Sequence, residues 1–192
     1  MIRCFIAADV PEEVRAALAE AQGRLRRLPL DVRVSWIKLE NVHLTLQFIG
    51  YIGEDVAPLV SAALAAVAAR QAPFDVEVAR LGAFPDPHRP RVLWAGCGAA
   101  SAELPRLAQA IQQATAPLGF TPEARAFTGH LTLGRVKMPR SDLTLTRALD
   151  SLKNAAFGAL RVDAVHLYQS QLQPSGSIYT KLSSHPLTRK GD

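Results

Sequence analysis

Hydrophobic and polar residues alternate along this chain with two periods, one typical of helices and the other typical of strands. After Pro11 and two acids, apolar residues recur at helical spacing from Val14 to Leu28, with Asp9 as a candidate cap. Further helices are predicted over 54–70, 102–118 and 141–153. Strands are predicted over 1–8, 32–36, 41–50, 74–78, 91–95, 129–136, 159–170 and 177–183. Because helices alternate with short strands, the pattern predicts an α+β protein with two sheets or lobes, each backed by helices.

The second half of the chain repeats the order of predicted elements found in the first half. Each half has strand, helix and paired-strand character, and no linker rich in serine and glycine separates them. We therefore expect residues 1–192 to form a single bilobed domain with two pseudo-symmetric halves. The polar residues from His185 to Asp192 are expected to fray.

The composition is that of an ordinary globular protein, since 48% of the 192 residues are hydrophobic and 20% are charged. The net charge of +5 is compatible with an anionic partner such as nucleic acid, although the basic residues are scattered. No apolar run has the length of a membrane span. Cys4 and Cys97 stand far apart in apolar runs, so we expect two buried thiols in a cytoplasmic protein. Nothing in the sequence indicates oligomerisation, and we assume a monomer.

The strongest chemical signal is a repeated tetrapeptide. His43-Leu44-Thr45-Leu46 recurs as His130-Leu131-Thr132-Leu133 at the corresponding place in the second half. Residues two apart in a strand project to the same face, so each copy presents its histidine and threonine on one face and its leucines on the other. If the two halves pack with the polar faces together, both imidazoles and both hydroxyls converge on one groove.

Such a groove suits reaction at a phosphodiester. One imidazole can remove a proton from the attacking oxygen while the other protonates the leaving oxygen, because the pKa of imidazole is close to neutral pH. The hydroxyls of Thr45 and Thr132 can donate hydrogen bonds to the non-bridging oxygens. Either histidine alone could equally be satisfied by local hydrogen bonds, but the matched pair favours catalysis by His43 and His130.

Other common catalytic centres fit the sequence less well. Two histidines without neighbouring carboxylates or thiols do not complete a zinc site, so we expect neither a metal nor a cofactor. The chain has no G-x-S-x-G motif and no glycine motif for nucleotide phosphates, which disfavours a serine hydrolase or a P-loop enzyme.

The paired His-x-Thr strands resemble the 2H phosphoesterase superfamily, and in particular its RNA 2′,3′-cyclic phosphodiesterases, also called 2′-5′ RNA ligases. The resemblance runs along nearly the whole chain. It rests on Arg3–Ala7, Trp36, Glu40–Gly50, Val92–Gly96, Phe127–Arg135, Leu167–Ser170, Gly176 and Tyr179. One departure is Gly129, where many members of the family have a proline before the second histidine.

The resemblance implies a bilobed fold in which two antiparallel sheets face a central groove, with helices on the outside. It also implies hydrolysis of RNA 2′,3′-cyclic phosphate ends to 2′-phosphates, and reversible joining of RNA ends through a 2′-5′ linkage. Release of a 2′-phosphate breaks the P–O3′ bond, so the general acid must reach O3′. We expect His43 to be that acid and His130 to be the base that activates water, although the sequence leaves the opposite assignment open. The partners implied are RNA ends or nucleotides with a 2′,3′-cyclic phosphate.

Two residues carry over from the family motifs, each five positions after its histidine. Strict alternation places Arg135 and Phe48 on the faces opposite the histidines. A bulge at Gly134 would return Arg135 to the groove, where its guanidinium would bind phosphate. Phe48 could stack on a base there, or it could fill the core.

Two other interpretations stay open. The histidines could serve a 2H enzyme that acts on cyclic nucleotides or on 2′-5′-linked oligoadenylates. The chain could instead be a non-catalytic module that binds nucleotides, although it keeps both histidines and both threonines. The other histidines, His88, His166 and His185, match no motif, and Tyr168 and Tyr179 are interpreted as structural.

Overall fold

The computed structural model describes residues 1–174 and 176–188. Within those residues the chain forms four helices and nine strands. The helices are α1 (Glu12–Arg26), α2 (Ala57–Ala68), α3 (Glu103–Thr115) and α4 (Leu143–Ser151). The strands are β1 (Ile2–Ala8), β2 (Arg33–Trp36), β3 (Leu44–Ile52), β4 (Phe74–Phe84), β5 (Val92–Cys97), β6 (His130–Lys137), β7 (Ala156–Val162), β8 (Ala164–Gln173) and β9 (Gly176–Pro186). The predicted α+β class is confirmed.

The strands form an antiparallel sheet in the order β7-β4-β5-β6-β3-β1-β8-β9. One half lies around β1 and β8 and the other around β4 and β5. The sequence predicted these halves as two sheets, and the structure joins them into one. In the described chain they join at one residue pair, Leu44 opposite Leu131. From Gly134 onwards, β6 pairs with β2 and no longer with β3. The sheet therefore forks between β3 and β6, which opens a groove on the face that the helices leave free.

The hydrophobic core lies between the helices and one face of this sheet. The leucines of both tetrapeptides are buried there, and Leu44 and Leu131 have no exposed surface. Helix α1 contributes Val14 and Leu18 to the same core, and α3 contributes Leu107 and Ile111, among others. Apolar residues at helical spacing thus cover the leucine face, as the sequence pattern predicted. The prediction of two pseudo-symmetric halves in one domain stays a prediction.

Some local predictions are wrong. Helix α1 has Pro11 as its cap and receives no side-chain cap, so Asp9 does not cap it. The tail does not fray from His185, because β9 continues to Pro186 and Leu187 is buried. The rest of that predicted tail, 189–192, lies outside the described residues. None of the described helices has the length and apolar character needed to cross a membrane.

Candidate active site

The fork in the sheet brings the two tetrapeptides side by side. Leu44 is opposite Leu131 in antiparallel register. Continuing that register by one residue in each direction places His43 opposite Thr132 and Thr45 opposite His130. These four side chains are half-buried, while the leucines between them point into the core. The structure therefore brings the two histidines and two threonines to one face, related by an approximate two-fold axis at the leucine pair.

Both imidazoles are oriented in the same way by the backbone. Nδ1 of His43 lies 2.8 Å from the carbonyl oxygen of Asn41, and Nδ1 of His130 lies 2.8 Å from the carbonyl oxygen of Thr128. A carbonyl oxygen only accepts hydrogen bonds, so each Nδ1 carries a hydrogen and donates it. Nε2 is then the nitrogen that takes up or releases a proton in both rings. This matched tautomer is what a pair of proton-transfer groups requires.

His43 is held within an aromatic cluster. Its ring stacks on Phe5, with centroids 4.6 Å apart, and meets the ring of Tyr179 edge-on at 5.2 Å. Burial lowers the pKa of His43, and the charges of His130 and Arg135 lower it further. The hydrogen bond to Asn41 and the charge of Asp9 act in the opposite direction, but the net shift is downward.

Asp9 is a part of this site that the sequence pattern did not indicate. It lines a small cavity of ≈ 270 Å³ together with His43 and Tyr168. Its carboxylate accepts hydrogen bonds from Tyr168 and from Lys181, and lies 3.4 Å from Nε2 of His166. Burial raises the pKa of Asp9, but these hydrogen bonds and charges more than offset it, so the pKa is lowered overall. Asp9 is therefore a negative charge beside His43, and an acid closing an otherwise apolar strand was the only signal for it.

A groove of ≈ 780 Å³ runs along the polar face of the fork. Five of the predicted site residues line it: His43, Thr45, Phe48, Thr132 and Arg135. His130 lies beyond Thr132, half-exposed at the rim, where its ring meets the edge of Phe84 at 5.0 Å. Arg3 and Lys38 add positive charge to the lining, and no Asp or Glu among the described residues lines this groove. The groove is electrostatically suited to an anionic ligand.

Arg135 reaches the groove through a bulge in β6. Trp94 pairs with Thr132 and Leu93 with Gly134, which leaves Leu133 without a partner on β5. The extra residue shifts the alternation, so Arg135 projects to the same side as Thr132. A Cβ at Gly134 would lie 2.7 Å from a methyl of Val34, so a larger residue here would require Val34 to shift. The predicted bulge is present, with Leu133, the residue before Gly134, as the unpaired residue.

Gln22 supports this bulge from helix α1. Its side-chain amide donates to the carbonyl oxygens of Leu133, at 3.1 Å, and Ile37, at 2.8 Å. Gln22 is only 3% exposed and lies on the apolar stripe between Leu18 and Leu25. A polar residue inside an apolar stripe is the signal that could have identified it, because a buried amide needs partners.

Phe48 reaches the groove through a matching bulge in β3. Gln47 pairs with Ile6 and Thr45 with Ala7, so Leu46 has no partner on β1. Phe48 is 56% exposed, and the alternative that it fills the core is wrong. The two motifs thus share a geometry in which a bulge after the threonine returns the fifth residue to the groove.

The comparisons with known proteins identify the family of the chain. A model of the LigT-like phosphoesterase family matches residues 8–94 and 97–179. The chain belongs to this family. It is 37% identical over 165 residues to an RNA 2′,3′-cyclic phosphodiesterase of Aeropyrum pernix, an alignment that covers 83% of this chain and 93% of the relative. A Methanothermobacter thermautotrophicus protein of the same name is 33% identical and is covered to 96%, with 94% of this chain aligned.

Solved structures of this family have the same fold. A protein of Thermus thermophilus superposes with a TM-score of 0.81 at 30% identity, covering 97% of this chain and 98% of that one. LigT of E. coli, crystallised with 3′-AMP, superposes with a TM-score of 0.75 at 25% identity, covering 98% of this chain and 99% of that one. The fold predicted from the family resemblance is confirmed.

Proposed function

We propose that the protein hydrolyses RNA 2′,3′-cyclic phosphate ends to 2′-phosphates, with His43 as acid and His130 as base. The observation that carries this proposal is the arrangement of the two imidazoles on one face of the sheet, each with Nδ1 fixed by a backbone carbonyl. The names of the relatives from Aeropyrum pernix and Methanothermobacter thermautotrophicus support the choice of substrate.

The reaction follows from a phosphate bound between the two rings. Nε2 of His130 takes a proton from a water molecule as its oxygen attacks phosphorus on the side opposite O3′. The P–O3′ bond breaks, and protonated Nε2 of His43 gives its proton to O3′, which leaves a 2′-phosphate and a 3′-hydroxyl. With the 5′-hydroxyl of a second RNA strand in place of water, the same steps produce a 2′-5′ linkage.

The polar groups around the phosphate stabilise the charge that builds on its non-bridging oxygens. Thr45 and Thr132 flank the histidines and can each donate a hydroxyl hydrogen bond. Arg135 adds a planar, permanently charged donor on the same face. These groups need no change of protonation state during the reaction, so only His43 and His130 have to exchange protons.

The reaction as proposed uses no metal and no cofactor. Among the described residues, no three His, Cys, Asp or Glu side chains are grouped as a metal site would require. We further propose a monomer that acts in the cytoplasm, where the buried thiols of Cys4 and Cys97 would stay reduced.

The test is incubation of the protein in EDTA with a short RNA that ends in a 2′,3′-cyclic phosphate. The His43→Ala and His130→Ala variants run in parallel, and the phosphate position in the product is determined. We expect a 2′-phosphate from the wild type and a loss of about 10²–10⁴ in rate in each variant. Faster turnover of 2′,3′-cyclic mononucleotides or 2′-5′ oligoadenylates would redirect the assignment within the enzyme class. Binding of RNA by a folded wild type without turnover of any of these would refute the proposal and support a binding module.

A further inference from the structure

A second basic group lies next to His130 and outside the groove described above. Strand β4 bulges at Arg80, because Ala79 pairs with Gly96 and Leu81 with Ala95. Arg80 has a left-handed backbone with φ of 53°, a region that residues other than glycine rarely adopt. The bulge is fixed by a hydrogen bond from the Arg80 amide to the Ala155 carbonyl oxygen, 2.6 Å away. Strain of this kind persists only where the surroundings enforce it, and it is common at binding sites.

The bulge directs the Arg80 side chain across the sheet towards His130. Gly96, the residue opposite His130 on β5, leaves open the space through which this side chain passes. The position of a Cβ at Gly96 would be 3.2 Å from Nε of Arg80. The guanidinium continues over the ring of Trp94, at 5.7 Å from the centroid. Arg80 therefore lies on the same face of the sheet as the imidazole.

Aromatic rings complete this part of the surface. Phe84 contacts the ring of Trp94 at 5.1 Å and the ring of His130 at 5.0 Å. We call the three residues Arg80, Phe84 and Trp94 the β4–β5 wall. Arg80 is exposed, and none of the ion pairs among the described residues includes it. A cation that is held over an indole and forms no ion pair with those residues is suited to a phosphate of single-stranded nucleic acid.

The place of this wall relative to the reaction identifies what it would bind. In the proposed function, which this step assumes, His130 accepts the proton of the attacking nucleophile, so the nucleophile enters on the side of His130. In the joining reaction that nucleophile is the 5′-hydroxyl of a second RNA strand. A strand whose 5′-oxygen is at phosphorus would then extend past His130 and over Arg80.

We propose that the β4–β5 wall binds the 5′-hydroxyl strand, with Arg80 contacting its first internucleotide phosphate. Joining then proceeds by attack of O5′ on phosphorus and cleavage of the P–O3′ bond. The proton of the 5′-hydroxyl goes to His130, and His43 gives its proton to O3′. In the reverse direction O3′ attacks, the P–O5′ bond breaks, and a 2′,3′-cyclic phosphate and a 5′-hydroxyl are regenerated. Hydrolysis of a cyclic end has no second strand, so it does not use Arg80.

The experiment compares Arg80→Gln with the wild type on three substrates. The first is an RNA that ends in a 2′,3′-cyclic phosphate, which reports hydrolysis. The second and third contain one 2′-5′ linkage, followed by a single nucleoside or by two nucleotides, and only the last has an internucleotide phosphate in the proposed position. Arg106→Gln is the matched control, because Arg106 is an exposed arginine on helix α3, away from the groove.

We expect Arg80→Gln to lower kcat/KM about tenfold for the 2′-5′ substrate with two downstream nucleotides, the loss typical of one charge-assisted contact. The other two substrates should change less than about twofold, and Arg106→Gln should leave all three unchanged. Equal losses on all three substrates would place Arg80 at the scissile phosphate and overturn the inference. It would also be overturned by a wild type that hydrolyses the cyclic end but neither joins nor cleaves a 2′-5′ linkage, although the proposed function would stand.

A binding measurement keeps the inference testable even if hydrolysis fails. Fluorescence anisotropy of a labelled RNA with a 5′-hydroxyl end is recorded over a range of salt concentrations, without any substrate that can react. Loss of one phosphate contact should lower the slope of log K against log salt by about 0.7 for a single strand. An unchanged slope in Arg80→Gln would show that the wall does not contact the RNA backbone.

Discussion

Gly129 departs from the family pattern, and the structure predicts a measurable cost for adding a side chain there. A methyl group at this position would lie 2.6 Å from the carbonyl oxygen of Cys97 and 2.8 Å from Cδ2 of Leu104. The leucine can rotate away, but the carbonyl belongs to β5, whose amide at Cys97 also donates to the Gly129 carbonyl oxygen at 2.9 Å. An opening of at least about 0.4 Å between the strands is needed to bring the closer contact to 3.0 Å.

We expect Gly129→Ala to destabilise the protein by about 1–3 kcal/mol, the range for overpacking in a well-packed interior. In a domain of this size each kcal/mol corresponds to a fall of about 2–4 °C in Tm. The same shift moves His130, because Gly129 stands between this histidine and Thr128, whose carbonyl oxygen fixes Nδ1. A displacement of about 1 Å at a catalytic group can reduce the rate by about 10². For the smaller shift here we expect kcat/KM for cyclic phosphate hydrolysis to fall about tenfold.

The matched control is Gly23→Ala in helix α1. A methyl group there would meet Arg27 at 3.5 Å, an ordinary contact. Alanine in a helix should stabilise the protein by roughly 0.5–1 kcal/mol and leave activity unchanged. The assays are urea unfolding and kcat/KM on the same preparations. Wild-type stability and activity in Gly129→Ala would show that β5 and β6 separate freely, and the close-approach argument would be refuted.

Two further predictions concern His43 and its neighbours. Asp9→Asn removes the charge that raises the pKa of His43, so this pKa should fall further, and the limb of the pH profile of kcat/KM that reports it should move to lower pH. A shift of the alkaline limb identifies His43 as the acid, a shift of the acidic limb identifies it as the base, and no shift would contradict the proximity of Asp9. Phe48→Leu should weaken RNA binding roughly tenfold in a titration, because a base stacked on an aromatic ring contributes about 1–3 kcal/mol. Equal affinities for wild type and variant would exclude stacking.

The chemistry of the site was more predictable than its topology. Alternation alone placed each histidine with its threonine, because the period of a strand fixes which side chains share a face. The pairing of β3 with β6 is long-range and depends on the packing of buried Leu44 against buried Leu131, which no local pattern reports. The family resemblance predicted a groove. It did not predict the fork that opens the groove, which forms because β6 pairs with β2 from Gly134 onwards.

The two bulges show where local signals sufficed and where they failed. Gly134 marked the bulge in β6, because glycine inside a strand often does. The bulge in β3 has no glycine beside Leu46, and strict alternation therefore misplaced Phe48. The residue that could have indicated the bulge in β3 is Gln47, which is 4% exposed and accepts a hydrogen bond from Thr115 of α3 at 2.9 Å. A polar side chain that turns into the core means that its neighbour turns out, and Phe48 is that neighbour.

The difference between the two motifs distinguishes the acid side of the site from the base side. The four central side chains are related by a two-fold axis, so by themselves they do not distinguish acid from base. The fifth residue breaks this symmetry, because it is Phe48 on β3 and Arg135 on β6. The ring of Phe48 lies 6.4 Å from that of Phe5, on which His43 stacks, so Phe48 is on the side of His43. If Phe48 stacks on the base of the nucleotide that carries the cyclic phosphate, the ribose of that nucleotide lies on the side of His43. Its O3′ is then the oxygen that His43 protonates, and the nucleophile is left to His130 and the β4–β5 wall.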